Sequence, residues 1–410
     1  MSAPLPIFLQ RSPAFGWFWT ASLVSMLGDA FRIMTVTLWL YAASQGNGVV
    51  MAAATAVGVI PTFLFGTLAG VWVDRWDRRR TLILCDLLRL LCSLGLVAAA
   101  QSTTLWLGLV TLTLLSGVSV VADIAAETTI PRLVAQDDLE RANGLWVVMH
   151  QLSFIVAPLA ATWVYTTHGA AWAFSVDAVS FLLSALLLRF LPPLRSRPVG
   201  NHMHPAVLLD LWTGFQVIWR DTLIRASLLA VVLRVFGAGV NNTVMIFLIA
   251  RVLHEPTTDL AWLGSANGLA QVLTGTLVVA AAQRASLPLT FSWGLGLMVV
   301  GAVVIASAGH LWVVIAGVIL TSLGNAPANI AQVTLEQRFI AHDLLGRVKG
   351  VQNTLMTLMF LLGSAVAGAT IHTLGAREWL WISAGFTVAA FALTMRSILP
   401  QVSRTARAVL

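Results

Sequence analysis

GTLAGVWVDRWDRRR, residues 66–80, joins two long apolar segments of a 410-residue chain. It begins with small residues that allow close helix packing, places one acid, Asp74, near the end of an apolar run, and ends in a cationic turn. The apolar run before it, 49–73, and the run after it, 81–101, are each long enough to cross about 30 Å of hydrocarbon. The stretch therefore predicts a short charged hairpin between two membrane-spanning helices.

The composition is that of a membrane protein. Hydrophobic residues make up 58% of the chain and charged residues only 10%, less charge than the surface of a soluble domain needs. Apolar runs of spanning length recur along the whole chain. They lie near 15–41, 49–73, 81–101, 105–126, 144–166, 170–190, 223–250, 260–282, 288–308, 311–333, 351–373 and 379–399. The predicted fold class is therefore an all-α membrane protein with twelve transmembrane helices.

The net charge of +7 follows the membrane topology. With the N-terminus inside, the even-numbered loops and both tails hold most of the 24 Lys and Arg residues, and the opposite side holds Arg251 and Arg377. This bias is the positive-inside pattern. We therefore expect a multi-pass protein of the bacterial cytoplasmic (inner) membrane with both termini in the cytoplasm, whose partner is the lipid bilayer and not nucleic acid.

An internal repeat divides the chain in two. PRLVAQDDLERANGL at 131–145 aligns with QRFIAHDLLGRVKGV at 337–351, about half the chain length later. The predicted domains are an N-terminal six-helix bundle at 1–191, a cytoplasmic linker at 192–221 and a C-terminal six-helix bundle at 222–410. The second part of the linker spaces its apolar residues at helical intervals, which predicts an amphipathic surface helix.

Polar side chains form stripes on the first, fourth, seventh and tenth predicted helices, the first of every group of three. Ionisable groups inside a membrane are expensive, so these positions indicate function. The stripes are Ser22, Ser25, Asp29 and Arg32; Thr113, Ser116, Ser119, Asp123 and Glu127; Arg234, Asn241 and Asn242; and Thr321, Asn325, Asn329, Gln332 and Glu336.

The hairpin resembles the loop motif G-x-x-x-D-R-x-G-R-R/K, which follows the second helix in the major facilitator superfamily. The matching residues are Gly70, Asp74, Arg75, Arg78 and Arg79, with Asp77 in place of the usual second glycine. That variant resembles the antibiotic- and siderophore-exporter branch. The resemblance implies two pseudo-symmetric six-helix bundles and secondary transport by alternating access.

The resemblance also implies roles for the polar stripes, because the same four helices line the central cavity in that superfamily. The implied substrate and coupling residues are Asp29, Arg32, Ser119, Asp123, Glu127, Arg234, Asn241, Asn325, Asn329 and Gln332. The implied cytoplasmic gate places the hairpin motif against the start of the eleventh helix, near Arg347. Asp29 is the first candidate for a proton carrier, followed by Asp123 and Glu127.

Structural interpretations remain open beside these roles. Asp29 and Arg32 lie three residues apart and could serve only to neutralise each other during insertion. Asp123 and Glu127 could simply be solvated at the end of their helix. Asp86 and Arg89 are predicted to form a structural pair, and Asp177 is predicted to bond a neighbouring helix. His150 could reach the cavity from the fifth helix, but its sequence context favours packing.

The predicted function is proton-driven export of a moderately hydrophobic small molecule, such as an antibiotic, a siderophore or another secondary metabolite. The alternative is a lysophospholipid or lipid transporter, or a facilitator without ion coupling. We expect a monomer that uses the proton gradient and needs no cofactor or metal. An enzyme is not expected, because the sequence has no HExxH, GxSxG or phosphate-binding-loop motif.

Overall fold

The computed structural model describes residues 12–194, 212, 215–216, 218–219, 222–282, 287–340 and 342–398. Throughout these ranges the regular secondary structure is helical, and they contain no strand. This architecture confirms the predicted all-α fold class.

The described ranges contain twelve long helices, here numbered α1 to α12 in chain order. In the first half these are α1 Pro13–Ala43, α2 Gly48–Arg75, α3 Arg78–Ser102, α4 Leu105–Glu127, α5 Leu139–His168 and α6 Ala170–Leu188. In the second half they are α7 Thr222–Phe247, α8 Leu260–Ala282, α9 Leu287–Ser307, α10 Leu311–Phe339, α11 His342–Leu374 and α12 Ala376–Leu393. Eleven of the helices, all except α8, contain a described stretch that is long and apolar enough to cross a membrane.

Several helices extend beyond the apolar runs that predict them. α3 begins at Arg78 instead of near 81, and α11 begins at His342 instead of near 351. Hydropathy marks the part of a helix that lies in hydrocarbon, whereas backbone hydrogen bonding continues through polar residues at its ends. Helix-interior prolines, at Pro61, Pro158 and Pro327, do not end their helices, as is common in membrane proteins.

The chain forms two compact units, Met1–Asn201 and His202–Leu410. Most of the predicted linker lies outside the described residues, and its described members from 212 to 219 are helical. In the first unit the most extensive helix contacts are α1 with α5 and α6, α3 with α4 and α6, and α2 with α4. In the second unit they are α7 with α11 and α12, α9 with α10 and α12, and α8 with α10. Adding six to each helix number converts one set into the other, so the sequence repeat extends to the packing pattern.

Glycines set the closest helix approach in the second unit. A Cβ atom on Gly294 of α9 would lie 2.8 Å from the carbonyl oxygen of Gly324 on α10. One on Gly301 would lie 2.7 Å from the carbonyl oxygen of Gly317, two turns further along the same seam. Since any side chain would overlap the facing backbone, α9 and α10 require glycine on both sides.

Replacing Gly301 with leucine is therefore expected to destabilise the second unit. The side chain must push α9 away from α10, at a cost of about 1–3 kcal/mol for overpacking. Thermal unfolding of the purified protein in detergent measures the effect. Gly385→Leu is the matched control, because a Cβ there meets no atom within 4 Å. Equal unfolding temperatures for the two variants would contradict the packing account.

Candidate functional site

A cluster of charged side chains occupies the interior of the first unit. α1, α3, α4 and α6 together contribute four carboxyl groups and two guanidinium groups. The members of this charged cluster are Asp29, Arg32, Asp86, Arg89, Asp123 and Asp177.

Arg32 links α1 to α6 within the charged cluster. Its Nη2 lies 2.5 Å from Oδ1 of Asp29, and its Nε lies 3.5 Å from Oδ2 of Asp177. Asp177 is fully buried and also accepts a 2.6 Å hydrogen bond from the hydroxyl of Ser93 on α3. The predicted bond from Asp177 to a neighbouring helix is therefore confirmed. Arg32 does more than neutralise Asp29, because it also balances the buried carboxylate of a second helix.

Arg89 lies among the other carboxylates. Its Nη1 is 3.7 Å from Asp86 and 3.9 Å from Asp29, and its Nη2 is 3.4 Å from Asp123. Nη2 also donates to the backbone carbonyl of Ser119, at 3.2 Å. The prediction that Asp86 and Arg89 form a structural pair was therefore incomplete, because Arg89 also faces carboxylates of α1 and α4. The i, i+3 spacing identified the pair, but the convergence of α1 and α4 on Arg89 depends on packing.

The charged cluster holds more carboxyl groups than guanidinium groups. With every member ionised, four negative charges face two positive charges. Unbalanced charge inside a membrane is costly, so the excess favours proton uptake or an exchange of partners. This imbalance is the chemical property that distinguishes the charged cluster from a set of simple structural ion pairs.

A cavity of about 560 Å³ opens beside the charged cluster, between α1, α2, α4 and α5. Asp29 and Asp123 lie on its wall, with side chains 25% and 70% exposed, while Arg89 behind them is only 4% exposed. Arg32, Ser119 and Glu127 also belong to the lining. The cavity thus presents carboxylates on its surface and keeps a guanidinium behind them.

His150 on α5 lines this cavity, and its ring lies 4.9 Å from that of Phe154. His150 therefore reaches the cavity, the less favoured of its two interpretations, and also packs against Phe154. Periodicity could not decide the matter, because the face of α5 that meets the cavity is set by how α5 packs on α1.

The second unit places a different polar pair in the corresponding region. Arg234 of α7 donates a 2.7 Å hydrogen bond to Oδ1 of Asn325 on α10, so two predicted site residues are in contact. Asn241 lies two turns after Arg234, and its side-chain oxygen is buried without a hydrogen bond among the described atoms. Asn329 is exposed, one turn beyond Asn325.

Gln332 belongs to a separate buried network between α10 and α11. Its amide donates to Oε1 of Glu336 at 3.0 Å, and the amide of Gln352 donates to the same oxygen at 3.0 Å. Lys349 completes the network through a short ion pair with Oε2 of Glu336. The network joins the last turns of α10 to the first turns of α11.

Asp77, which replaces the usual second glycine of the hairpin motif, has a structural role. Asp77 is the N-cap of α3, and its Oδ1 accepts a 3.0 Å hydrogen bond from the backbone N–H of Arg80. The Nε of Arg78 donates to Thr128 after α4 at 3.2 Å, and Nη2 of Arg79 donates to the carbonyl of Arg189 after α6 at 2.6 Å.

The rest of the predicted gate motif lies at helix ends. Gly70 and Asp74 fall in the last turns of α2, and the side chain of Asp74 lies outside the described part of the structure. Arg75 is the last residue of α2, and Arg347 lies in the second turn of α11; both are exposed. Their role as a gate stays a prediction.

Loss of the Arg89 charge is expected to destabilise the first unit strongly. Arg89→Gln leaves Asp86 and Asp123 without their cation, and breaking a buried ion pair typically costs about 3–5 kcal/mol. Thermal unfolding in detergent measures the loss, and Arg141→Gln is the control because its pair with Asp138, at 4.0 Å, is part-exposed. Adding Asp86→Asn to Arg89→Gln should recover part of the stability. If Arg89→Gln were as stable as Arg141→Gln, the proposed balance of charge around Arg89 would be refuted.

Two transport proteins are similar to this chain along most of its length. The macrolide efflux protein A of Streptococcus pyogenes is 23% identical over 383 residues, covering 90% of this chain and 92% of that protein. The enterobactin exporter of Escherichia coli O1:K1 / APEC is 24% identical over 398 residues, covering 90% of this chain and 86% of the relative.

Solved structures share the fold. A bacterial homologue of the iron transporter ferroportin matches with a TM-score of 0.73 and 16% identity, covering 94% of this chain and 98% of the other. The nucleoside transporter NupG matches with a TM-score of 0.75 and 14% identity, covering 93% and 97%. Most directly, the sequence model of the Major Facilitator Superfamily matches residues 18–238. This chain therefore belongs to the Major Facilitator Superfamily and is a multi-pass membrane transporter, not an enzyme.

Proposed function

We propose that this transporter exports a moderately hydrophobic small molecule, such as an antibiotic, a siderophore or another secondary metabolite, by proton-driven alternating access. It acts as a monomer in the bacterial cytoplasmic membrane with both termini inside, an orientation that the distribution of Lys and Arg supports. Relatives named for macrolide efflux and for enterobactin export support the direction of transport and the cargo class.

The position of Asp29 between two arginines carries the proposal of proton coupling. Its Oδ1 lies 2.5 Å from Arg32, and its Oδ2 lies 3.9 Å from Arg89. Because its side chain is a quarter exposed on the cavity wall, Asp29 can exchange a proton with water in the cavity. Protonation at this single site removes the negative charge that both arginines share.

Protonation of Asp29 affects the other helices of the first unit. Once Asp29 is neutral, Arg32 retains Asp177 of α6, and Arg89 retains Asp86 of α3 and Asp123 of α4. The attraction between Asp29 of α1 and Arg89 of α3 weakens. The ion pairs that join α6 to α1 and α4 to α3 remain. A ligand shifts a conformational equilibrium only through such a difference in interaction energy, and here the proton is that ligand.

The cavity wall favours an amphiphilic cargo. Its volume of about 560 Å³ is in the range of sites that bind small molecules. Met26, Trp146 and Phe154 give it apolar surface, and Ser116 and Ser153 add hydroxyl groups. A sugar would leave the apolar surface without a matching partner, whereas a molecule with both apolar and polar faces would contact both.

Substitution of Asp29 by asparagine is expected to abolish proton-driven export. The isosteric amide preserves packing and some hydrogen bonding but cannot exchange a proton. The measurement is accumulation of a panel of macrolides, siderophores and lipophilic dyes in an efflux-deficient bacterium, with and without an uncoupler. Wild type should lower accumulation several-fold, and this effect should be lost in Asp29→Asn and on uncoupling.

Asp138→Asn is the matched control, because it makes the same chemical change in a part-exposed pair outside the cavity, and it should export normally. Export that ignored both Asp29→Asn and the uncoupler would instead favour a facilitator without ion coupling. Transport of lysophospholipids with no effect on the panel would favour the lipid-transporter alternative.

A further inference from the structure

A second cavity lies on the first unit outside the functional site. Its volume is about 590 Å³, and it opens between the start of α3 and the end of α6. We name it the α3–α6 groove. Its polar end is formed by Asp77, Arg79, Arg80 and Arg189, and its apolar wall includes Ile83, Leu87, Leu182 and Leu186.

Helical spacing aligns the polar and apolar lining residues of the groove on one face of each helix. On α3, Arg80, Ile83 and Leu87 follow one another at intervals of three and four residues, which places them on one face. Leu182 and Leu186 of α6, and Arg189 directly after it, do the same in the opposite chain direction. The stretch from Arg80 to Leu87 extends about 10 Å along α3, at 1.5 Å per residue.

The apolar wall continues beyond the groove towards the middle of both helices. Leu91 and Leu94 on α3 are 64% and 49% exposed, and Val179 on α6 is 51% exposed. Apolar side chains this exposed on membrane helices face hydrocarbon. The groove therefore opens onto the acyl-chain region of the bilayer at one end.

The polar end carries excess positive charge. Three arginines line it, and Asp77 is the one carboxylate among the described residues that do so. The Oδ1 of Asp77 is engaged in capping α3, where it accepts the backbone N–H of Arg80. Arg79 donates to the carbonyl of Arg189, so the two helix ends are tied together across the groove. Arg80 and Arg189 are both exposed.

We propose that the α3–α6 groove binds one anionic phospholipid, with the phosphate group between Arg80 and Arg189 and an acyl chain along Leu87 and Leu186. Basic pockets between transmembrane helices are suited to anionic head groups, and each arginine contributes electrostatic attraction at the membrane surface. Free phosphate has no apolar group that could cover Leu182 or Leu186. The apolar wall therefore favours a phospholipid over free phosphate.

This lipid site does not depend on the proposed proton coupling or cargo, although Arg79 belongs also to the predicted gate motif. None of its lining residues belongs to the cavity beside the charged cluster. The bound lipid would stabilise the contact of α3 with α6 from outside, whichever molecule the cavity accepts.

The test is native mass spectrometry of the full-length, delipidated protein titrated with phosphatidylglycerol or with phosphatidylcholine of the same acyl chains. We expect phosphatidylglycerol to bind preferentially with one tight site. Arg80→Gln/Arg189→Gln should weaken that site roughly 30-fold, equivalent to about 2 kcal/mol. Arg79 is kept in this variant because its bond to the Arg189 carbonyl is structural.

Two further variants distinguish lipid binding in the groove from general attraction to surface charge. Arg132→Gln/Arg396→Gln removes two exposed charges outside the groove and should leave the tight site intact. Leu186→Trp keeps every charge but fills the apolar wall, and it should weaken binding of the lipid. Thermal unfolding checks that each variant is folded.

Three results would overturn the proposal. The first is equal binding of the two lipids. The second is an equal loss in the control double variant. The third is full competition by inorganic phosphate with no effect of Leu186→Trp, which would identify a phosphate site without an acyl-chain groove.

Discussion

The cost of charge inside a membrane is the constraint on which the first unit depends. Arg32 and Arg89 are almost completely removed from solvent, and each can remain there only because carboxylates surround it. These carboxylates come from four helices, so the same ion pairs that stabilise the charges also hold α1, α3, α4 and α6 together. In the proposed mechanism stability and function are coupled, because a proton that altered the charge balance would also alter the forces between helices.

The two units share a packing pattern but not a charge pattern. The same five helix pairs recur in both, and the glycine seam of α9 and α10 shows how closely membrane helices approach where side chains are absent. Where the first unit has a charged cluster, Arg234 of the second unit donates to the neutral amide of Asn325. The repeated scaffold is therefore symmetric in its helix packing and asymmetric in its charge.

Much of the fold could be predicted from the sequence, because apolar length and the Lys and Arg bias are direct consequences of the bilayer. The pairing of Asp29 with Arg32 was also accessible, since residues three apart share a helix face. The capping role of Asp77 had a recognisable signal, an acid immediately before a helix start.

The convergence of Asp29, Asp86 and Asp123 on Arg89 could not be predicted in the same way. It depends on the rotation of three helices about their own axes, which local spacing does not specify. The orientation of His150 towards the cavity has the same origin. In both cases one-dimensional periodicity identifies a polar face, and only packing determines what that face meets.

The central claim is that Asp29 exchanges a proton while the rest of the charged cluster keeps its ion pairs. The most direct measurement is infrared difference spectroscopy of the carboxyl region of the reconstituted protein, recorded before and after a proton gradient is imposed across the membrane. The account predicts a carboxyl difference band in wild type and in Asp138→Asn that disappears in Asp29→Asn. A band that persists unchanged in Asp29→Asn, or that is absent from the wild type, would contradict it.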